Sequence, residues 1–169
     1  MINYCLRIIL STNGSTTLAL ESLIMKKVSL NIIHQEIVTF NDLPSDVKVF
    51  FKSKGPFVKR ITSLNFENRT LSENVVYFDI STIDKPIQNR LSTENIPIGK
   101  MLNSMENKRV IISHGFKEYD ELRNSYLPHS ILKSTYPYKE YTIIRNENCW
   151  FHITEIFHSK EIVSCIADK

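Results

Sequence analysis

Trp150-Phe151-His152-Ile153-Thr154-Glu155-Ile156-Phe157-His158 is the stretch whose reading decides the fold. As an extended strand it points successive side chains to opposite faces. Phe151, Ile153, Glu155 and Phe157 then share one face, apolar except for a single carboxylate. A lone Glu on such a face has to be neutral, paired or engaged by a ligand, because burying a bare charge is expensive. Val58-Lys59-Arg60-Ile61-Thr62-Ser63-Leu64-Asn65-Phe66 repeats the oddity with the opposite charge, since Arg60 lies on the face that carries Val58, Thr62, Leu64 and Phe66. A guanidinium and a carboxylate aimed into an apolar layer suggest a closed pocket for a small polar anion. The plain alternative is a buried salt bridge between the two, and the pattern leaves both readings open.

Immediately upstream, Lys139 to Arg145 reads as the partner strand, closing a hairpin with Cys149 to His158 around Asn146-Glu147-Asn148. Phe57 to Phe66 and Val75 to Ser81 read as neighbouring strands joined by a turn near Asn68, Val28 to Phe40 as a long strand, and Arg109 to Phe116 as another. Helices are expected over Thr16 to Met25, from Leu43-Pro44-Ser45 through Phe51, over Ile87 to Leu91, over Ile98 to Met105 behind Pro97, and over Tyr119 to Tyr126. Six strands with short turns and helices in the connections argue for an α+β fold: a mainly antiparallel six-stranded sheet with flanking helices. With 169 residues, no low-complexity linker and no internal repeat, residues 1–169 read as one domain.

Composition narrows the function classes. At 42% hydrophobic and 23% charged residues the chain is an ordinary globular sequence. A net charge of +3 with scattered Lys and Arg gives a weak footprint for nucleic acid and a mild bias toward anionic small substrates. Cys5, Cys149 and Cys165 are odd in number and far apart, which suits a reducing compartment and offers no zinc spacing. The run Ile2 to Leu10 is short and carries Arg7, so neither a membrane span nor a signal peptide is expected. The expected location is therefore cytoplasmic.

Two helix starts could receive an anion. Asn13-Gly14-Ser15 precedes a helix, as a cap or as an anion cradle, and lacks the Gly-Lys-Ser/Thr ending of a P-loop. Ile96-Pro97-Ile98-Gly99-Lys100 offers the N–H groups of Ile98 and Gly99, either to a carboxylate or simply to solvent at a surface helix. His152, Glu155 and His158 tempt a metal hypothesis, but strand parity turns both histidines away from Glu155, so no metal is expected. No Ser sits on a recognisable nucleophile elbow.

The ordered set Ser11-Thr12-Asn13-Gly14-Ser15-Thr16-Thr17, Lys59-Arg60, Ile96-Pro97-Ile98-Gly99-Lys100-Met101-Leu102, Lys139-Glu140-Tyr141 and Ile153-Thr154-Glu155-Ile156-Phe157 resembles the chorismate pyruvate-lyase family, closest to its archaeal, cyanobacterial and plastid branch. The resemblance implies an α+β domain with helical flaps over a buried site. It also implies a cofactor-free, metal-free lyase that eliminates pyruvate from chorismate to leave 4-hydroxybenzoate, a quinone precursor. By the same resemblance Arg60 and the amides of Ile98 and Gly99 hold the ring carboxylate, Glu155 meets the ring hydroxyl, and the backbone near Ser15 and Thr16 lines the site. Lys139, counted by the resemblance among the substrate-binding residues, stands where an Arg is common, the strand Val75 to Phe78 ends without the usual Pro, and Ile111 to Gly115 lacks a usual acidic residue. If the source were a photosynthetic eukaryote, the plastid stroma would replace the cytoplasm. The expected partners are chorismate and 4-hydroxybenzoate, with no nucleic acid and no membrane, in a monomer or dimer.

The competing expectation is a non-catalytic aromatic-acid-binding module, like the effector domains of a family of bacterial transcription regulators that share this fold. Such domains follow a winged helix-turn-helix, for which the sequence before Leu10 leaves no room. A structural or interaction protein would instead present a large exposed apolar patch and no enclosed cavity.

Overall fold

The computed structural model describes residues 2–118 and 135–167. The helices are α1 (Ile2–Ser11), α2 (Thr16–Ile24), α3 (Ser45–Lys48), α4 (Lys85–Thr93), α5 (Ile98–Met101) and α6 (Ser159–Ala167). The strands are β1 (Ser29–Val38), β2 (Phe57–Phe66), β3 (Arg69–Asp79), β4 (Lys108–Glu118), β5 (Thr135–Arg145) and β6 (Asn148–Phe157). All pairings are antiparallel and the sheet order is β1-β2-β3-β6-β5-β4. The last strand in the chain thus lies in the middle of the sheet, beside β3 and β5, which is why its residues are buried on both faces.

Turn chemistry sets the hairpins. Asn146 and Glu147 both take positive φ, 48° and 62°, the mirror-image turn whose twist matches that of its flanking strands. Ser15 caps α2 by accepting from the Leu18 N–H, and Met25 closes the helix in the left-handed region.

The helical face of the sheet carries two apolar clusters. One joins Val58, Val76, Phe151 and Ile153 to α4 and α5 through Ile87, Leu91 and Met101. The other joins Leu64 and Phe157 to α1, α2 and α6 through Ile9, Leu20, Ile24 and Ile162. A third cluster, with Val47, Phe51, Ile61, Val75 and Tyr77, covers part of the opposite face. Between the first two clusters the inward-facing residues turn polar and line a cavity.

The α+β six-stranded reading holds, with revised boundaries. β3 begins at Arg69 rather than Val75, because Glu73 and Asn74 are buried in the strand with partners of their own: His158 Nε2 lies 2.8 Å from Glu73, and Asn74 Nδ2 donates to Thr62 at 3.4 Å. α5 stops at Met101 rather than Met105; beyond it the chain turns, and the Asn107 amide donates to the Leu102 and Met105 carbonyls. α1 and α6 were not expected from the sequence. The helix expected over Tyr119 to Tyr126 lies outside the described residues. Among the described residues no helix is long and apolar enough to cross a membrane, which says nothing about a β-barrel.

Candidate active site

Arg60 on β2 and Glu155 on β6 enter the same cavity from below, and the N-terminal ends of α2 and α5 close it from above. Thr16, Thr62, Asn74, Ile98, Gly99, Arg109 and Tyr141 are among the other residues of its wall. The free space is about 40 Å³, room for a water or two. An aromatic acid is larger than this space, which the α2–α5 wall bounds from above. That wall is pinned: Lys100 Nζ donates to Glu21 Oε1 at 2.6 Å, and Glu21 also accepts the Val28 N–H at 2.9 Å. Burial pushes the Glu21 carboxyl up, but the Lys100 and Val28 hydrogen bonds and the charge of Lys27 outweigh it and hold it below its usual value.

Arg60 is 1% exposed and Glu155 5% exposed. They are not paired with each other. Arg60 Nη1 reaches the Leu91 carbonyl at 3.4 Å, while Nε and Nη2 are buried with no partner. Glu155 Oε2 is likewise buried and unpartnered. Burial raises the Glu155 carboxyl above its ordinary value, against the opposing pull of Lys139, of the nearby Thr16 and Tyr141 hydroxyls and of Arg109. The Thr16 hydroxyl stands near the carboxylate but outside hydrogen-bonding geometry. Burial lowers the Arg60 guanidinium and, with the Glu155 charge beside it, lifts the Tyr141 phenol well above its usual value, so Tyr141 remains a neutral donor. Thr16 Oγ1, Asn74 Oδ1 and Arg109 Nε are also buried without partners. Buried polar atoms are normally satisfied. Here the exceptions gather around one cavity, an arrangement that a polar ligand would complete.

The remaining sequence candidates divide. Pro97 accepts from the N–H groups of Lys100 and Met101, so those of Ile98 and Gly99 are outside the helix's own ladder, at the cavity wall. Gly99 also has a packing reason: a Cβ there would stand 2.5 Å from Ser15 Oγ, so the glycine lets α5 pack onto the cap of α2. Thr16 lines the cavity; Ser15 faces the outer groove beside it. Lys139 is directly opposite Glu155 in register but does not line the cavity. Its ammonium donates to the carbonyls of Ile9 and Thr12 and lies 5.1 Å from the Tyr141 ring centroid, anchoring the α1–α2 connection behind the site. Asn74, Arg109 and Tyr141 also line the cavity and were not among the residues expected there.

His152 and His158 face away from Glu155, as strand parity requires: His152 Nε2 lies 3.0 Å from Glu140, which also accepts from Ser113 at 2.9 Å, and His158 meets Glu73. Among the described residues no three His, Cys, Asp or Glu side chains gather as a metal site.

Residues 10–163 match the family described as chorismate pyruvate-lyase Rv2949c-like. The chain belongs to that family. A relative in Methanocaldococcus jannaschii, MJ0807, provisionally named a lyase, is 31% identical over 166 residues, covering 89% of this chain and 76% of its own. As a member of a lyase family the chain also shares its fold with regulators. PhnF from Mycobacterium smegmatis superposes with a TM-score of 0.61 at 7% identity, over 89% of this chain and 66% of that one. The C-terminal domain of the histidine utilization repressor from Pseudomonas syringae pv. tomato gives 0.55 at 7% identity, over 80% of this chain and 94% of that domain. At such identity the likeness concerns fold alone.

Proposed function

We propose that this lyase-family member releases pyruvate from chorismate and leaves 4-hydroxybenzoate, the entry compound of prenylated quinone synthesis. One observation carries the reading: a buried guanidinium with two unpartnered nitrogens and a buried carboxylate with an unpartnered oxygen line one cavity without pairing to each other. In this reading Arg60 grips the ring carboxylate with the amides of Ile98 and Gly99, where a planar fork and two N–H donors suit a carboxylate. Glu155 holds the C4 hydroxyl, assisted by the Thr16 and Tyr141 hydroxyls, and Lys139 tunes Glu155 from behind. The C4 hydrogen leaves as a proton, the C3–O bond breaks, and the departing enolate takes up a proton to become pyruvate. Electrons and atoms balance without an oxidant or reductant. Aromatisation drives the step, so orientation and exclusion of water are the protein's main contributions. The site is expected to work without metal or cofactor.

Incubation of the purified protein with chorismate is expected to yield pyruvate and 4-hydroxybenzoate in equal amounts. The second reading, a free-standing aromatic-acid-binding protein, is favoured by the likeness to regulator effector domains. It is distinguished by tight 4-hydroxybenzoate binding with no pyruvate released.

A further inference from the structure

Arg109, at the start of β4, lines two spaces at once. Inward it borders the cavity of Arg60 and Glu155. Outward it borders an open polar groove of about 460 Å³, shared with Ser15, Asn103, Asn107 and Lys108. Its Nε is buried and makes no hydrogen bond, and among the described residues no carboxylate lies within ion-pairing distance of it. Its side chain packs against the opening of α5, with Nη2 3.7 Å from the position a Gly99 Cβ would occupy. Its charge reaches Glu155, whose carboxyl it pulls downward.

Two cations thus line the cavity, Arg60 and Arg109; Lys139 lies behind it, committed to backbone carbonyls. Glu155 supplies the one carboxylate among the residues that line it. A monoanionic aromatic acid would engage Arg60 and leave Arg109 half-buried and unanswered, which is costly for a guanidinium. A dianion would satisfy both.

We propose that Arg109 forms a second carboxylate subsite at the junction of cavity and groove, so that this pocket selects dicarboxylates whose two anionic groups are held apart by a ring. The proposal rests on the lyase reading and extends it: in chorismate the second carboxylate belongs to the enolpyruvyl group. Arg109 therefore binds substrate but has nothing to hold in the aromatic product, and the groove is the route by which the smaller anion leaves.

The test compares benzoate with 3-(carboxymethoxy)benzoate, which carries a second carboxylate on a meta ether, by calorimetry on wild-type protein and Arg109→Gln. Wild type is expected to bind the dicarboxylate at least about tenfold more tightly than benzoate. Arg109→Gln is expected to lose that preference, keep its benzoate affinity within about twofold, and raise KM for chorismate with 4-hydroxybenzoate affinity unchanged. A structural role for Arg109 would weaken all of these ligands together and would overturn the proposal, as would no preference in wild type. Arg109→Lys keeps the charge and loses the fork; an intermediate preference supports the subsite, and it serves if the Gln variant does not fold. If wild type releases no pyruvate but keeps an Arg109-dependent dicarboxylate preference, the lyase reading fails and the subsite stands. If Arg109→Gln turns over chorismate with unchanged kcat/KM, the subsite fails and the lyase reading stands.

Discussion

Arg60 and Glu155 line one buried cavity from strands two apart in the sheet, and neither is the other's ion-pair partner. The register explains the separation. Arg60 is opposite Val76, Glu155 is opposite Asn74, and β3 runs between their strands. Two strand spacings and one two-residue step put their Cα atoms about 12 Å apart. That gap leaves the two groups to meet opposite ends of a small ring instead of each other.

A buried cation without a carboxylate should weaken the empty protein. Arg60→Met is expected to raise the melting temperature in the absence of ligand, by roughly 1–3 kcal/mol of stability, because an apolar side chain of similar length removes the desolvation cost. The same change should reduce 4-hydroxybenzoate affinity by on the order of 2–5 kcal/mol. Thermal denaturation and product titration measure the two effects. Higher stability with unchanged affinity would remove Arg60 from the site.

Glu155 carries the sign of its environment. Its folded-state pKa lies above the ordinary 4.5, so the native state is favoured while it is protonated, and this contribution is lost as pH rises from 4.5 through the raised folded value. Glu155→Gln should therefore be the more stable protein at neutral pH, by on the order of 1 kcal/mol. If the carboxylate form accepts from the ring hydroxyl, kcat/KM in wild type rises with pH through that raised value, and the rising limb disappears in Glu155→Gln. A pH–rate profile of both proteins checks this.

Lys139 separates structure from tuning. Lys139→Met strips donors from the Ile9 and Thr12 carbonyls and is expected to cost about 2–4 kcal/mol in denaturant titration. Because the Lys139 charge pulls the Glu155 carboxyl downward, its removal should also move the rising limb of the pH–rate profile to higher pH. A limb that stays in place would mean that Lys139 only anchors α1.

The Lys100–Glu21 bridge ties α5 to α2 across the top of the cavity. Lys100→Ala is expected to speed product dissociation about fivefold, the equivalent of about 1 kcal/mol of lost closure. Since the Glu21 carboxyl is held below 4.5, the bridge is intact at neutral pH and is released as pH falls through the lowered value, so dissociation in wild type should quicken in acid. Stopped-flow displacement of 4-hydroxybenzoate measures both.

Strand alternation made Arg60 and Glu155 legible in the sequence, because a charge on an apolar strand face breaks a period of two. The hairpins and the Pro97 helix start were legible for similar local reasons. Arg109 was not, and the bulge between Ile111 and Ser113 is the reason. Simple alternation would put Arg109 and Ser113 on one face. The extra residue turns Ser113 to Glu140 on the far face while Arg109 stays with the cavity. Polar partners hid the first half of β3 in the same way: Glu73 and Asn74 look like loop residues until His158 and Thr62 are brought beside them. The committed position of Lys139, bound to the α1–α2 connection, depends on a helix whose apolar sequence gave no sign of where it would pack.

The most direct measurement is a crystal structure with 4-hydroxybenzoate bound. The ligand carboxylate is expected within about 3 Å of the Arg60 guanidinium and the amides of Ile98 and Gly99, and its hydroxyl within about 3 Å of Glu155. A ligand lodged elsewhere, or an Arg60–Glu155 ion pair closing the space between them, would contradict the central claim.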